Sequence, residues 1–145
     1  IMSYNGGQLP RDEIRSILEL RGVLMAFALE SAIPLITPEQ LNRLNEQSEA
    51  FVNASSPEEA ATRIYTFDQM LSGFSGNTLL PLIFCSFRAP IKELWRRYIS
   101  RYGTQGLYKR NVELLGFIEK KDVLSAKKLI ADSVSATISG STEIY

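Results

Sequence analysis

The stretch Ser56–Leu80, SPEEAATRIYTFDQMLSGFSGNTLL, carries the clearest structural signals in the chain. Ser56 precedes a proline and two glutamates, which is typical of a helix N-terminus: a hydroxyl cap, a proline in the first turn and acidic residues at the positive end of the helix dipole. Apolar residues then recur every three or four positions as far as Phe74. Gly76 can adopt the left-handed conformation that ends helices. The stretch therefore predicts an amphipathic helix with a defined start and end.

The same helical pattern extends through the rest of the chain. Residues 11–31 carry apolar side chains on one helical face, and Pro34 ends that helix. Thr37 begins the next helix, with Gln40 placed to complete a capping box. No window alternates polar and apolar residues with enrichment in β-branched side chains, so no sheet is predicted. We therefore predict an all-α fold, an antiparallel bundle of about six helices joined by short loops.

A long helix is predicted from about Leu79 to Tyr102, with Pro90 inside it. Proline removes one backbone hydrogen bond and its ring clashes with the preceding turn, so this helix is expected to be kinked at Pro90. Two more helices, about 105–119 and 122–137, complete the predicted bundle.

The length of 145 residues fits one domain, and 45% hydrophobic and 22% charged residues are ordinary for a globular protein. We assign residues 11–138 to this domain. Residues 1–10 are interpreted as a linker or the edge of a longer chain, and residues 139–145 as a frayed tail.

Composition excludes several classes of function. Sixteen basic and sixteen acidic residues give no net charge, which argues against DNA binding through the overall field of this chain. There is no histidine, so neither a Ser-His-Asp nor a Cys-His site can be built. Cys85 is the single cysteine, which excludes an internal disulfide and a multi-cysteine zinc site. No apolar run reaches the roughly 18 residues of a membrane helix. We predict a cytoplasmic protein with no enzymatic activity, metal, cofactor or membrane partner.

Four polar residues lie on otherwise apolar helix faces: Arg21, Asp68, Asn111 and Ser133. Burying a polar group costs on the order of a few kcal/mol unless the group is hydrogen-bonded. Two arrangements meet this requirement. The groups satisfy one another in a polar core, or they line a wet or ligand-filled cavity.

Aromatic residues are dense between Tyr65 and Tyr108, and arginines cluster on the predicted long helix. Core packing explains most of the aromatic residues, although small-molecule pockets use a similar lining. A solvated face explains most of the arginines, although one turned inward would clamp a carboxylate or phosphate by paired hydrogen bonds.

Phe67–Leu71 and the following Ser75–Leu80 resemble the FHxxLxxxxGNxxL core of the FCD ligand-binding domain. That domain is the C-terminal effector half of FadR-type GntR transcription regulators. Other segments agree in their order along residues 11–136. They resemble the first helix with its inward arginine (Ile17–Arg21), the cap of the second helix (Thr37–Leu41) and the final helical hairpin (Leu115–Ala126).

The resemblance implies a helical bundle with a central cavity for a metabolite, and homodimerisation. In that family an aspartate and three histidines usually hold a metal in the cavity. Carried over by spacing, the aspartate falls on Ile64, the first histidine on Asp68, and the others at about Asn111 and Ser133. One carboxylate with an amide and a hydroxyl is a poor transition-metal site. We therefore expect a cavity without metal, similar to the fatty-acyl-CoA-responsive FadR branch.

The resulting interpretation is an effector-sensing and dimerisation domain of a bacterial GntR/FadR-type regulator. It would bind a small organic acid, fatty acid or acyl-CoA, and DNA would be contacted through an N-terminal winged helix-turn-helix domain absent from this chain. The alternatives are a pure dimerisation module with a closed polar core and, more remotely, an enzyme. The predicted polar ligand-binding residues are Arg21, Asp68, Arg88, Asn111 and Ser133, with Arg21 or Arg88 holding an anionic head group. The predicted apolar wall consists of Met25, Tyr65, Phe84 and Trp95.

Overall fold

The computed structural model describes residues 11–139, which form seven α-helices and contain no strand. The all-α prediction is confirmed, with one helix more than the six expected. The predicted linker at 1–10 and the predicted tail beyond residue 139 lie outside the described residues. The helices are α1 (Arg11–Ala32), α2 (Pro38–Val52), α3 (Pro57–Phe74), α4 (Leu80–Ser86), α5 (Arg88–Tyr102), α6 (Gln105–Glu119) and α7 (Val123–Ser139), and a short 3-10 helix (Ile33–Leu35) follows α1.

The additional helix arises because the predicted long helix is divided at Phe87. α4 ends at Ser86 and α5 begins at Arg88, which places Pro90 in the first turn of α5. A proline ring clashes with the carbonyl of the residue four positions earlier, and here that residue is Ser86. Proline is tolerated in a first turn because the backbone N–H there has no partner within the helix. The bend expected at Pro90 thus takes the form of a complete break just before it.

The predicted helix caps are present. The Thr37 hydroxyl accepts a hydrogen bond from the Gln40 backbone at 3.1 Å, and the Gln40 side chain accepts one from the Thr37 backbone at 3.1 Å. The Ser56 hydroxyl accepts from the Glu59 backbone at 3.1 Å. Gly76 follows α3 with a φ of +77°. Local sequence rules therefore fix where α2 and α3 begin and where α3 ends.

α3 is the central helix, and it packs against α1, α2, α4 and α5. Its buried face presents Ile64, Phe67 and Leu71, and with them the carboxylate of Asp68, which is fully buried. A charged side chain is therefore carried into the middle of the bundle by the same helical periodicity that buries the apolar residues.

Gly22 sets the approach of α1 to α7, since a Cβ at this position would lie 2.9 Å from Cγ2 of Val134. We expect Gly22→Ala to lower the free energy of unfolding by about 1 kcal/mol, because overpacking outweighs the better helix propensity of alanine. A Val134→Ala background is expected to remove this loss. Gly116→Ala is the matched control: a Cβ there contacts nothing within 4 Å, so this change is expected to stabilise. Urea denaturation measures all four variants, and a Gly22→Ala loss that persists in the Val134→Ala background would contradict the steric explanation.

Candidate functional site

A buried ion pair joins α1 to α3 in the interior. Arg21 Nε donates to Asp68 Oδ2 at 2.8 Å, and Arg21 Nη2 donates to Asp68 Oδ1 at 2.9 Å. Arg21 is 3% exposed and Asp68 is 0% exposed. The paired geometry gives each carboxylate oxygen a charged donor, which burial of a carboxylate requires. Two of the predicted polar residues are therefore brought together directly.

The Arg21 guanidinium also lies over the indole ring of Trp95 in α5, with its Cζ 5.1 Å from the ring centroid. A cation in this position is attracted by the negative face of the ring. Trp95 is almost fully buried and packs edge-on against Tyr98, with ring centroids 5.7 Å apart. α1, α3 and α5 therefore meet at Arg21.

A second arginine, the half-buried Arg110 of α6, adds another positive charge to this region, and its Nε atom is buried. Burial, together with the nearby charge of Arg21, lowers the pKa of Arg110 to about 10, while Asp68 and Tyr98 act in the opposite direction. Arg110 therefore remains protonated at neutral pH. Its Nη2 donates to Oδ1 of the buried Asn111 at 3.1 Å. We call Arg21, Asp68, Trp95, Arg110 and Asn111 the buried arginine centre.

The buried arginine centre has more positive charge and more hydrogen-bond donors than its own residues can satisfy. Two arginines share one carboxylate, and Arg21 already bonds both oxygens of that carboxylate. Three buried N–H groups have no acceptor among the described residues: Trp95 Nε1, Arg110 Nε and Asn111 Nδ2. Leaving a buried donor unpaired costs about 1–3 kcal/mol. An excess cation with unpaired donors is chemically complementary to an anion.

Two predicted polar residues lie outside this centre. Ser133 is half-buried on α7, and its hydroxyl donates to the Leu129 carbonyl of the same helix at 2.8 Å. Arg88 is exposed at the start of α5, with its Cζ 5.9 Å from the centroid of the Tyr65 ring. Of the two arginines proposed to hold an anionic head group, only Arg21 therefore belongs to the buried arginine centre.

The residues predicted as an apolar wall are all buried. Met25 and Phe84 are 1% and 0% exposed and belong to the core. The hydroxyl of Tyr65 donates to the backbone carbonyl of Phe84 at 3.1 Å, and burial raises the pKa of Tyr65. Met25, Phe84 and Trp95 lie on α1, α4 and α5, which pack against α3, and α3 carries Tyr65. The role of these four residues in contacting a ligand stays a prediction.

A cavity of about 260 Å³ lies between α1 and α5 and reaches Arg21. Among the residues that line it, Arg21 is the single cation and the one member of the buried arginine centre; Asp68, Trp95, Arg110, Asn111 and Ser133 are not part of the lining. The other lining residues are Glu13, Ser16, Ile17, Leu20, Leu24, Phe87 and Ile91. The buried arginine centre therefore faces this mostly apolar cavity through Arg21.

Arg110 is the member of the centre that the sequence prediction missed. It lies three residues after Leu107 and four before Leu114, both of which are buried on α6. That spacing puts Arg110 on the edge of the same stripe as Asn111. An arginine at helical spacing between two core leucines is the signal that would have identified it.

The residues at the positions of the family's metal ligands do not fit a transition metal. Ile64 is apolar, both oxygens of Asp68 accept hydrogen bonds from Arg21, and the Ser133 hydroxyl is bonded within its own helix. Between residues 11 and 139, no group of three or more His, Cys, Asp or Glu side chains is placed to hold a metal ion. In this chain the guanidinium of Arg21 binds the Asp68 carboxylate, which would otherwise have to serve as the metal ligand.

Over the same described range, no helix combines the length and the apolar character needed to span a membrane.

Comparison with known proteins identifies the family. The model of the FCD domain matches residues 16–136, which include every member of the buried arginine centre. No curated protein and no solved structure gives a significant match. Because the match covers most of the chain and agrees with the all-α fold, this chain belongs to the FCD domain family, the effector-binding C-terminal domain of GntR-family transcription regulators.

Proposed function

We propose that this domain senses a small anionic effector, which binds at the buried arginine centre without a metal ion. The observation that carries the proposal is the unbalanced charge: Arg21 and Arg110 share the single carboxylate of Asp68, and three buried donors lack acceptors. An anionic group at the centre would balance the charge and offer acceptors to unpaired donors.

The effector class is a carboxylate with a compact apolar body, within the range of organic acids, fatty acids and acyl thioesters. A volume of about 260 Å³ lies just below the roughly 300–1,000 Å³ typical of pockets for drug-sized ligands. The cavity is therefore too small for a whole acyl-CoA molecule. Leu20, Leu24 and Ile91 give it an apolar wall, and its charged lining residues are Arg21 and Glu13.

The effector would act by differential binding to alternative helix arrangements. Arg21 lies on α1, Asp68 on α3 and Arg110 on α6, so an anion bound among them changes the contacts of three helices at once. A ligand shifts such an equilibrium by the difference between its affinities for the two arrangements. We propose that a homodimer of the domain passes this shift to DNA-binding domains in the full regulator.

The alternative, a dimerisation module with a closed polar core, is favoured by the direct pairing of Arg21 with Asp68. It leaves unexplained why Arg110 adds a second cation and why three donors stay unpaired. An anion-binding centre explains both features.

The proposal is tested by thermal unfolding and calorimetric titration of the domain in the presence of EDTA. The probes are acetate, hexanoate, octanoate, benzoate, succinate, citrate and octanoyl-CoA. A true effector at 100 times its Kd adds about 2.7 kcal/mol of stability, which for a domain of this size raises the Tm by roughly 5–10 °C. Sedimentation with and without the best probe measures whether the domain is dimeric.

Sodium chloride at matched ionic strength is the control for unspecific salt effects. A monocarboxylate that raises the Tm with EDTA present supports the proposal. It is contradicted if no anion stabilises the domain more than chloride does, or if stabilisation appears only after zinc or manganese is added.

A further inference from the structure

The positive charge of this chain is concentrated on α5, although the chain as a whole has no net charge. The helix carries five basic residues and one acidic residue within 15 positions. The basic residues are Arg88, Lys92, Arg96, Arg97 and Arg101, and the acidic residue is Glu93. Like charges four residues apart on one helix destabilise it modestly, so an anion bound beside them would be favourable.

One face of α5 forms the wall of a groove of about 590 Å³. Arg88, Lys92 and Arg96 are spaced four residues apart, so they lie along this face on successive turns. The start of α3 and the end of α4 form the other sides. Their lining residues are Glu58, Ala61, Thr62, Cys85 and Ser86. None of the lining residues belongs to the buried arginine centre.

The groove lining carries three basic and two acidic residues, so one positive charge is in excess. Glu93 accepts hydrogen bonds from Arg96 at 2.8 and 2.7 Å and from Arg97 at 2.7 Å, so one carboxylate serves two arginines. Arg88 and Lys92 form no ion pair with any residue in the described range. Glu58 is the one other acidic residue of the lining.

The two unpaired cations are placed to act together. Arg88 is held over the ring of Tyr65, with its Cζ 5.9 Å from the centroid, and Lys92 follows one turn later. The hydroxyls of Thr62 and Ser86 donate to carbonyls of their own helices at 3.1 and 3.0 Å. The guanidinium and ammonium groups are therefore the donors that the groove offers to a ligand.

We propose that this groove is a second anion site, which binds the phosphate groups of a phosphorylated small molecule through Arg88 and Lys92. Arginine binds two phosphate oxygens by its planar fork, and lysine adds a compact charge. The volume of about 590 Å³ falls within the roughly 300–1,000 Å³ of small-molecule sites. Walls from three helices enclose a small ligand better than a nucleic-acid duplex. This inference does not depend on the proposed effector.

Cys85 provides a reporter for the test, since it is the single cysteine, is exposed and lines the groove. The experiment measures the rate of alkylation of Cys85 by N-ethylmaleimide in the whole chain, with pyrophosphate as the probe and sodium chloride holding the ionic strength constant. Pyrophosphate is expected to slow alkylation at least threefold and in a saturable manner, because a bound anion covers the thiol.

The variant Arg88→Gln/Lys92→Gln is expected to lose this protection. The alkylation rate of each variant with pyrophosphate is compared with the rate of the same variant without it. Lys109→Gln, which removes an exposed charge on α6 outside the groove, is the matched control and is expected to keep it. Protection no greater than that given by chloride, or protection that persists in the double variant, would overturn the proposal. Stronger protection by duplex DNA than by pyrophosphate at equal phosphate concentration would also overturn it and indicate a nucleic-acid contact.

Discussion

Asp68→Asn is expected to lower the free energy of unfolding by about 3–5 kcal/mol, the largest effect of any single change considered for this domain. The substitution keeps the size of the side chain but removes the carboxylate that pairs with the buried Arg21. Arg21 then remains buried with no counter-charge among the described residues, and the half-buried Arg110 adds a second positive charge nearby. Urea denaturation at neutral pH measures the loss.

The double variant Arg21→Met/Asp68→Leu separates the role of the pair from that of its members. Replacing a whole buried ion pair by apolar residues of similar volume is often neutral or stabilising. The double variant is therefore expected to be much more stable than Asp68→Asn, and to fall below the wild-type chain only by the loss of the Asp68 charge near Arg110. This difference would show that the ion pair is retained for binding or for helix positioning rather than for stability.

Asp132→Asn is the matched control, because it removes a carboxylate from a salt bridge of 2.7 Å with Lys128 in which both side chains are mostly exposed. Exposed pairs contribute about 0–1 kcal/mol. If Asp68→Asn costs no more than Asp132→Asn, the interior does not depend on the Asp68 charge, and the unbalanced centre loses its physical basis.

Arg110→Met is expected to have opposite effects on stability and on binding. Burial lowers the pKa of Arg110 from its ordinary value to about 10, so the unfolded chain holds this proton more tightly than the folded chain. Folding is therefore penalised at every pH below about 10, and the penalty decreases as the pH rises from there towards the ordinary pKa of arginine. Removing the cation removes the penalty, and the free energy of unfolding is expected to increase by about 1 kcal/mol or more.

The same substitution is expected to weaken the binding of the effector that stabilises the wild-type domain. A hydrogen bond to a charged group contributes about 1.5–3 kcal/mol, so Kd should rise roughly 10- to 150-fold. Lys109→Met, the neighbouring lysine on the exposed side of α6, is expected to leave Kd unchanged. A destabilised Arg110→Met variant with unchanged Kd would assign Arg110 a structural role instead.

The helices were largely predictable because their signals are local. The capping residues Thr37 and Ser56 and the left-handed Gly76 act within one turn of the chain, and each is found in the predicted role. The sequence predicts that Pro90 disrupts the helix, but a proline inside a helix can either kink it or break it. Whether the chain continues as one helix depends on how Phe87 and its neighbours pack, so the division into α4 and α5 required the structure.

For the candidate site, the sequence by itself determined which helix faces point inward and that Arg21, Asp68 and Asn111 are carried there, since helical periodicity alone decides this. It also determined the loss of the family's metal-binding histidines. Only the tertiary structure decided that Arg21 pairs with Asp68 across 47 positions of sequence. It also decided that Arg110 adds a second cation and that Arg88 lies outside the buried arginine centre. Ion pairing and desolvation depend on distances between helices, and those distances are set by the packing of the whole core.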